Sequence, residues 1–202
     1  MQQKAETQIF ILLLISALML CVAPFFLEDS YNWIKHTTSE SGAQLATGSW
    51  CARIGFMLYG LSIFCIGTKG SLMWFQKFPF LFFGISMLSV AVFSNKPWIE
   101  GVPYNNAEDV LHSIGSSVVG IAFIANVIVI SMSRTHHNSK TITFDLLAII
   151  ASLIIPLSMV FLTDYRGILQ RAMFAVSYIW YGYYLLGMPN LRKKCHLTKE
   201  SS

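Results

Sequence analysis

Asp109 and His112 stand three positions apart, so on a helix both side chains share one face and could bind one metal ion. His36, with Glu40 a turn later, is a further source of ligands. A zinc-like ion held by Asp109, His112 and His36 would activate water, which is the chemistry of a hydrolase. Arg53, Arg166 and Arg171 offer something different. Their guanidinium forks match the oxygens of a phosphate or a carboxylate. Ser116 and Gln170 add neutral hydrogen-bonding groups. An Asp-x-x-His spacing is common by chance. No HExxH, GxSxG, phosphate loop or EF-hand accompanies it, so no catalytic motif is complete.

Each of these residues also has a purely structural use. Asn106-x-x-Asp109 and Thr37-x-x-Glu40 both fit a helix capping box, the second ahead of a short loop helix expected over Ser39 to Ala46. A single histidine near a helix end packs more often than it ligates. Arg53, Arg166 and Arg171 could pair with Glu40, Asp109 and Asp164 and so fix helix order, and Arg171 could snorkel to the interface. His136 and His137 are expected to be solvated in a short loop. The cysteines, Cys21, Cys51, Cys65 and Cys195, show neither CxxC nor metal-ligand spacing. Apolar packing suits them better than a Cys21–Cys51 bridge.

The elements that must carry these residues are membrane helices. Of the 202 residues 54% are hydrophobic and only 12% charged, against about 25% charged in soluble domains. Such a chain cannot cover a water-facing surface. Six apolar runs approach the roughly 20 residues of a spanning helix. They are Ile9 to Leu27, Trp50 to Gly67, Phe78 to Ser94, Val110 to Ser133, Phe144 to Thr163 and Leu169 to Gly187. The first is too long for a secretory signal, and Leu20 is too large for a lipoprotein cleavage site before Cys21, so it is expected to be retained. The reading is an all-α, six-helix transmembrane bundle in a single domain, 9–187. A short N-terminus, 1–8, precedes it and a basic tail, 188–202, follows it.

The loops alternate in charge. Lys69 and Lys77 follow the second run, Arg134 and Lys140 the fourth, and Arg192, Lys193, Lys194 and Lys199 the sixth. The other loops carry Glu28, Asp29, Glu40, Glu100, Glu108, Asp109 and Asp164 against Lys35, Lys96 and Arg166. Basic loops stay in the cytoplasm, so both termini are expected there. Trp33, Trp50, Trp98 and Tyr104 would form the outer aromatic belt. The net charge of +4 owes much to the tail, which suits anionic lipid and not nucleic acid.

Two helical stripes emerge. Asp109, His112, Ser116 and Gly120 line one face of the fourth run, where the small residues should let a neighbour approach. Arg171, Phe174, Tyr178 and Tyr181 line one face of the sixth.

The stretches His36 to Ser41, Ala43-Gln44, and Trp50 with Ala52 to Phe56 resemble a family signature. So do His112-Ser113, Gly120 to Phe123, Arg166 to Arg171 and Trp180 to Gly182. Together they resemble domain-of-unknown-function family 998, a group of bacterial multi-pass membrane proteins. The resemblance implies similar topology and a bacterial inner membrane, with no agreed activity.

These observations lead to an outward-facing polar pocket lined by His36, Glu40, Arg53, Asp109, His112, Ser116, Arg166, Gln170 and Arg171, with a lipid headgroup or small amphiphile as its partner. The alternative is a metal-dependent lipid hydrolase. A transporter is disfavoured, because the helix centres look apolar and no inverted repeat is visible. The topology predicts that a reporter fluorescent only in the cytoplasm is active when fused at either end, and a periplasm-dependent phosphatase inactive. The opposite pattern at either end contradicts it.

Overall fold

The computed structural model describes residues 2–69, 72–134 and 139–199, so His136 and His137 lie outside the described residues. Among the described residues there are six α-helices and no strand. They are α1 (Gln2–Val22), α2 (Trp50–Gly67), α3 (Trp74–Val92), α4 (Asn106–Met132), α5 (Ser139–Phe161) and α6 (Arg166–Lys199). Five of the helical segments, the first counted from Lys4 to Phe26, are long and apolar enough to cross a membrane. In α6 no charged residue stands between Arg171 and Arg192. The bundle is inverted relative to a soluble one. Leu147, Leu153, Leu157 and Val160 of α5 are all more than half exposed. Hydrocarbon tolerates such side chains but not bare backbone, which is why the chain is helical through most of each apolar run.

Several helices start earlier than their apolar runs. α1 begins at Gln2 and not Ile9, α3 at Trp74 and not Phe78, and α4 at Asn106 and not Val110. α5 begins at Ser139 and not Phe144, and α6 at Arg166 and not Leu169, continuing past Gly187. Hydropathy marks the stretch suited to lipid, whereas helical hydrogen bonding continues into polar turns that cap the ends. Gln76 shows this, since its Oε1 accepts from the Met73 N–H at 2.9 Å and closes the start of α3. The expected Ser39–Ala46 helix is only a 3-10 turn, Glu40–Gly42. The chain leaves that turn extended at Ala43, and Gln44 then bonds residues 94, 95 and 105.

α2 lies between α1 and α3, α3 packs on α4, and α5 packs on α6, which returns to α1. α2 and α3 meet backbone to backbone. A Cβ on Gly60 would stand 2.9 Å from the Gly84 carbonyl oxygen, and one on Gly84 2.8 Å from the Phe64 Cα. The small-residue stripe of α4 behaves differently from expectation. A Cβ on Gly120 meets nothing within 4 Å, and it is Gly115 that lies against α3, near Val90 and Ser86.

The centre is aromatic, and Tyr59, Tyr178, Tyr181 and Trp180 in it each find a polar partner on another helix. Tyr59 of α2 stacks on Tyr178 of α6 with ring centroids 4.2 Å apart. Tyr59 Oη pairs with Ser177 Oγ and Tyr178 Oη with Ser16 Oγ, both at 2.6 Å. Asn126 Nδ2 donates to Tyr181 Oη at 2.9 Å, and Trp180 Nε1 to Asp145 Oδ1 at 2.9 Å. The other Asp145 oxygen accepts from Arg134. The bundle interior is therefore more polar than the expected apolar helix centres. Burying a hydroxyl or an indole N–H without a partner costs several kcal/mol in hydrocarbon, so these pairs fix the register of the helices. Cys21, Cys51 and Cys65 are free thiols.

Gly84→Ala is expected to lower the thermal unfolding midpoint in detergent, at an overpacking cost of about 1–3 kcal/mol. Gly120→Ala should raise it, since glycine within a helix costs about 1 kcal/mol relative to alanine. Equal shifts in the same direction would contradict the packing described.

Candidate functional site

Three loops gather at one end of the bundle, from residues 27–49, 93–105 and 162–165. The chain leaving α3 is held there almost atom by atom. Arg53 donates from Nε to the Ala91 carbonyl (3.2 Å) and from Nη2 to the Val92 carbonyl (3.0 Å). His112 Nδ1 lies 2.9 Å from the Phe93 carbonyl, which can only accept, so Nδ1 carries the proton. Its Nε2 is buried without a hydrogen-bond partner. The N–H of Ser94 donates to Glu108 (3.2 Å) and that of Lys96 to Asp109 (2.8 Å). Gln44 donates from Nε2 to the Ser94 carbonyl (3.0 Å) and from its backbone to the Asn95 carbonyl (2.9 Å).

The expected Asn106–Asp109 capping box does not form. Asn105 is the N-cap of α4, its Oδ1 accepting from Ala107 and Glu108. Asp109 is thereby released to hold Lys96. The Thr37–Glu40 box does form. Glu40 accepts from the backbone N–H of Thr37 (2.5 Å) and its hydroxyl (2.9 Å), while Thr37 Oγ1 accepts from the Glu40 N–H (3.1 Å).

α6 begins against the first loop. A Cβ on Gly167 would stand 2.3 Å from the His36 carbonyl oxygen, so only glycine permits the approach. The Ile168 N–H donates to the Ile34 carbonyl (3.1 Å), and Gln170 Oε1 accepts from the Ser39 N–H (3.0 Å). Arg171 Nη1 donates to the carbonyls of Trp33 (2.7 Å), His36 (3.0 Å) and Gly167 (3.0 Å), and Nη2 to Tyr31 Oη (2.8 Å). Burial pushes the Tyr31 phenol above its ordinary pKa, with the Arg171 guanidinium working against that shift. His36 packs against Tyr31 and Trp98, and its Nδ1 accepts from the Asn32 N–H at 3.0 Å. Desolvation lowers its pKa, against the pull of Glu40.

Among the described residues none of the three arginines meets a carboxylate. Arg53 and Arg171 hold neutral oxygens, and Arg166 is exposed. Asp164 pairs instead with Lys35 across 3.5 Å at the surface. The same residues contain no group of three or more His, Cys, Asp or Glu close enough to hold a metal ion.

Two cavities open beside this rim. The first, about 630 Å³, is a cleft between α1 and α6. Ala17, Leu20, Cys21, Phe174 and Tyr178 form its apolar length, and Tyr31, Trp33, Thr38 and Arg171 its loop end. The second, about 600 Å³, lies between α4, α5 and α6, and it brings together Ser116, Arg166 and Gln170. Arg171 thus stands apart from the other candidates. His36, Glu40, Arg53, Asp109 and His112 line neither cavity and serve the loops that frame them.

The polar atoms available to a ligand are those the fold leaves over. An arginine has five N–H donors. Among the described residues the Nε–H of Arg171 and one N–H of its Nη2 make no hydrogen bond. Thr38 is 2% exposed and lines the same cleft, and its Oγ1 has no partner. Sequence reasoning did not single out Thr38, although it lies within the His36 to Ser41 stretch.

Residues 11–187, which include this whole rim, match a family model described as a protein of unknown function, DUF998. The chain belongs to that family. Comparison with curated proteins and with solved structures returns no match. In this DUF998 member the candidate site is the rim and the two clefts beside it.

Because Nδ1 of His36 accepts a hydrogen bond and burial lowers its pKa, the folded protein resists protonating it. As pH falls through about 6.5, the unfolded chain takes up the proton first, so this contribution to stability is present above that pH and lost below it. The thermal midpoint should fall between about pH 7.5 and pH 5.5 more steeply in wild type than in His36→Gln. Identical slopes would contradict the assignment.

Proposed function

We propose that the protein binds an anionic amphiphile of the membrane in the α1–α6 cleft, its headgroup at Arg171 and Thr38 and its chain along Leu20, Phe174 and Tyr178. One observation carries this reading. A buried hydroxyl without a partner and a guanidinium with unused donors line the same end of one apolar cleft. Leaving a buried hydroxyl unsatisfied costs about 1–3 kcal/mol, and the oxygens of a phosphate or carboxylate headgroup are the acceptors that both groups lack. The cleft runs beside helices suited to a bilayer, so lipid supplies the apolar part. The charge pattern supports an outward-facing mouth, with Lys69, Lys77, Arg134 and Lys140 at the other end of the bundle. Placement in a bacterial inner membrane rests on the family resemblance.

Thr38→Val removes the hydroxyl at nearly constant shape. In lipid-free detergent it should leave the thermal midpoint unchanged or higher, because no protein hydrogen bond is lost. It should weaken phosphatidylglycerol binding by about tenfold, one charge-region hydrogen bond. Arg171→Gln should weaken it at least as much. Unchanged phosphatidylglycerol affinity in a folded Thr38→Val protein would sink the proposal.

A further inference from the structure

The groove between α4, α5 and α6 is not the end of the space it opens. A smaller cavity of about 60 Å³ lies deeper in the bundle. The two share Gly120, Ser152, Pro156 and Met173 as walls, so they adjoin along α4, α5 and α6. Polarity changes along the way. The mouth carries Ser116, Thr163, Arg166 and Gln170. The inner end is closed by Tyr59, Phe83, Met87 and Phe123. Tyr59 Oη is already paired with Ser177 there, so the inner end has no hydroxyl to offer and suits hydrocarbon.

The mouth is the reverse case. Among the described residues the side chains of Ser116, Thr163 and Arg166 make no hydrogen bond or ion pair with the protein. Asp164, the acid next to Arg166 in sequence, is taken by Lys35. A cation without a counter-charge therefore stands at the loop end of a groove whose walls are three helices, with α4 and α5 among those suited to a bilayer.

Gly120 shows that the space is kept open. Glycine in the middle of a helix is unfavourable. It is usually explained by a close neighbour, yet a Cβ here would meet nothing within 4 Å. What a larger residue would fill is the groove itself.

We infer that this groove is a second lipid site, in which an anionic phospholipid sets its phosphate against Arg166 and Ser116 and inserts one acyl chain past Gly120 toward Tyr59 and Phe83. Charge complementarity chooses an anionic head, and the polar-to-apolar gradient sets its direction. The site is separate from the Arg171 cleft. The groove and that cleft share no lining residue, and only the inner cavity adjoins the cleft, at Phe174.

The test uses the delipidated full-length chain in mild detergent, titrated with phosphatidylglycerol or phosphatidylcholine, with bound lipids counted by native mass spectrometry. Gly120→Leu fills the groove where the structure has room for it, so it is expected to fold, which circular dichroism verifies. The expected result is loss of one bound phosphatidylglycerol in Gly120→Leu, and about tenfold weaker binding of that same lipid in Arg166→Gln. Thr38→Val should bind the other lipid about tenfold more weakly and keep this one, and the Thr38→Val, Gly120→Leu double variant should show both effects. Failure confined to Thr38→Val therefore strikes the cleft and leaves the groove standing. Wild-type binding in folded Gly120→Leu would overturn the second site. Loss in Gly120→Leu with none in Arg166→Gln, or equal binding of phosphatidylcholine, would overturn its anionic character.

Discussion

A helix that ends near a bilayer leaves backbone N–H and C=O groups without helical partners, and in a medium short of water each must be met by something else. At the loop end of this bundle they are met by side chains. Arg53 and His112 take the carbonyls at the end of α3, and Glu108 and Asp109 take the N–H groups that follow. Gln44 ties the first loop to the second, and Gln170 ties α6 to the first. This is why so many of the residues that look catalytic in the sequence converge on one face. Their convergence is required by the turns and says little about chemistry.

That constraint also isolates the groups with another use. Arg53 and Arg171 both hold carbonyls, but Arg53 faces neither cavity, whereas Arg171 lines the α1–α6 cleft with donors to spare. Thr38 sits in the most heavily bonded stretch of the loop. Its neighbours Thr37 and Ser39 are both bonded and its own hydroxyl is not. A capped, rigid rim lets two small leftovers be held at the mouth of an apolar cleft in fixed geometry, which is what recognition of a headgroup asks. The rest of the cleft needs only to be apolar, and Phe174 and Tyr178 are locked by the ring stack at the bundle centre.

The helices were legible because lipid imposes one simple pattern, long apolar runs, and the helical bundle agrees with it. Their ends were not, because caps such as Gln76 and Asn105 depend on which turn the chain takes. The polar stripe of α4 was found from its spacing, but spacing cannot tell a glycine that admits a neighbour, like Gly115, from one that keeps a space open, like Gly120. Tyr181, the partner of Asn126, and Trp180, one of the two partners of Asp145, come from α6, far away in the chain. Thr38 carried no periodic or charge signal. Its significance is an absence of partners, which exists only in three dimensions.

Cys21 lines the α1–α6 cleft and is exposed there, so its natural thiol reports on the cleft directly. The decisive measurement is its alkylation rate, read residue by residue by mass spectrometry, in detergent with matched amounts of phosphatidylglycerol or phosphatidylcholine. A cleft that binds an anionic amphiphile predicts that phosphatidylglycerol protects Cys21 and phosphatidylcholine does not, with protection lost in Arg171→Gln. Equal rates with either lipid, or protection that persists without the guanidinium, would contradict the account.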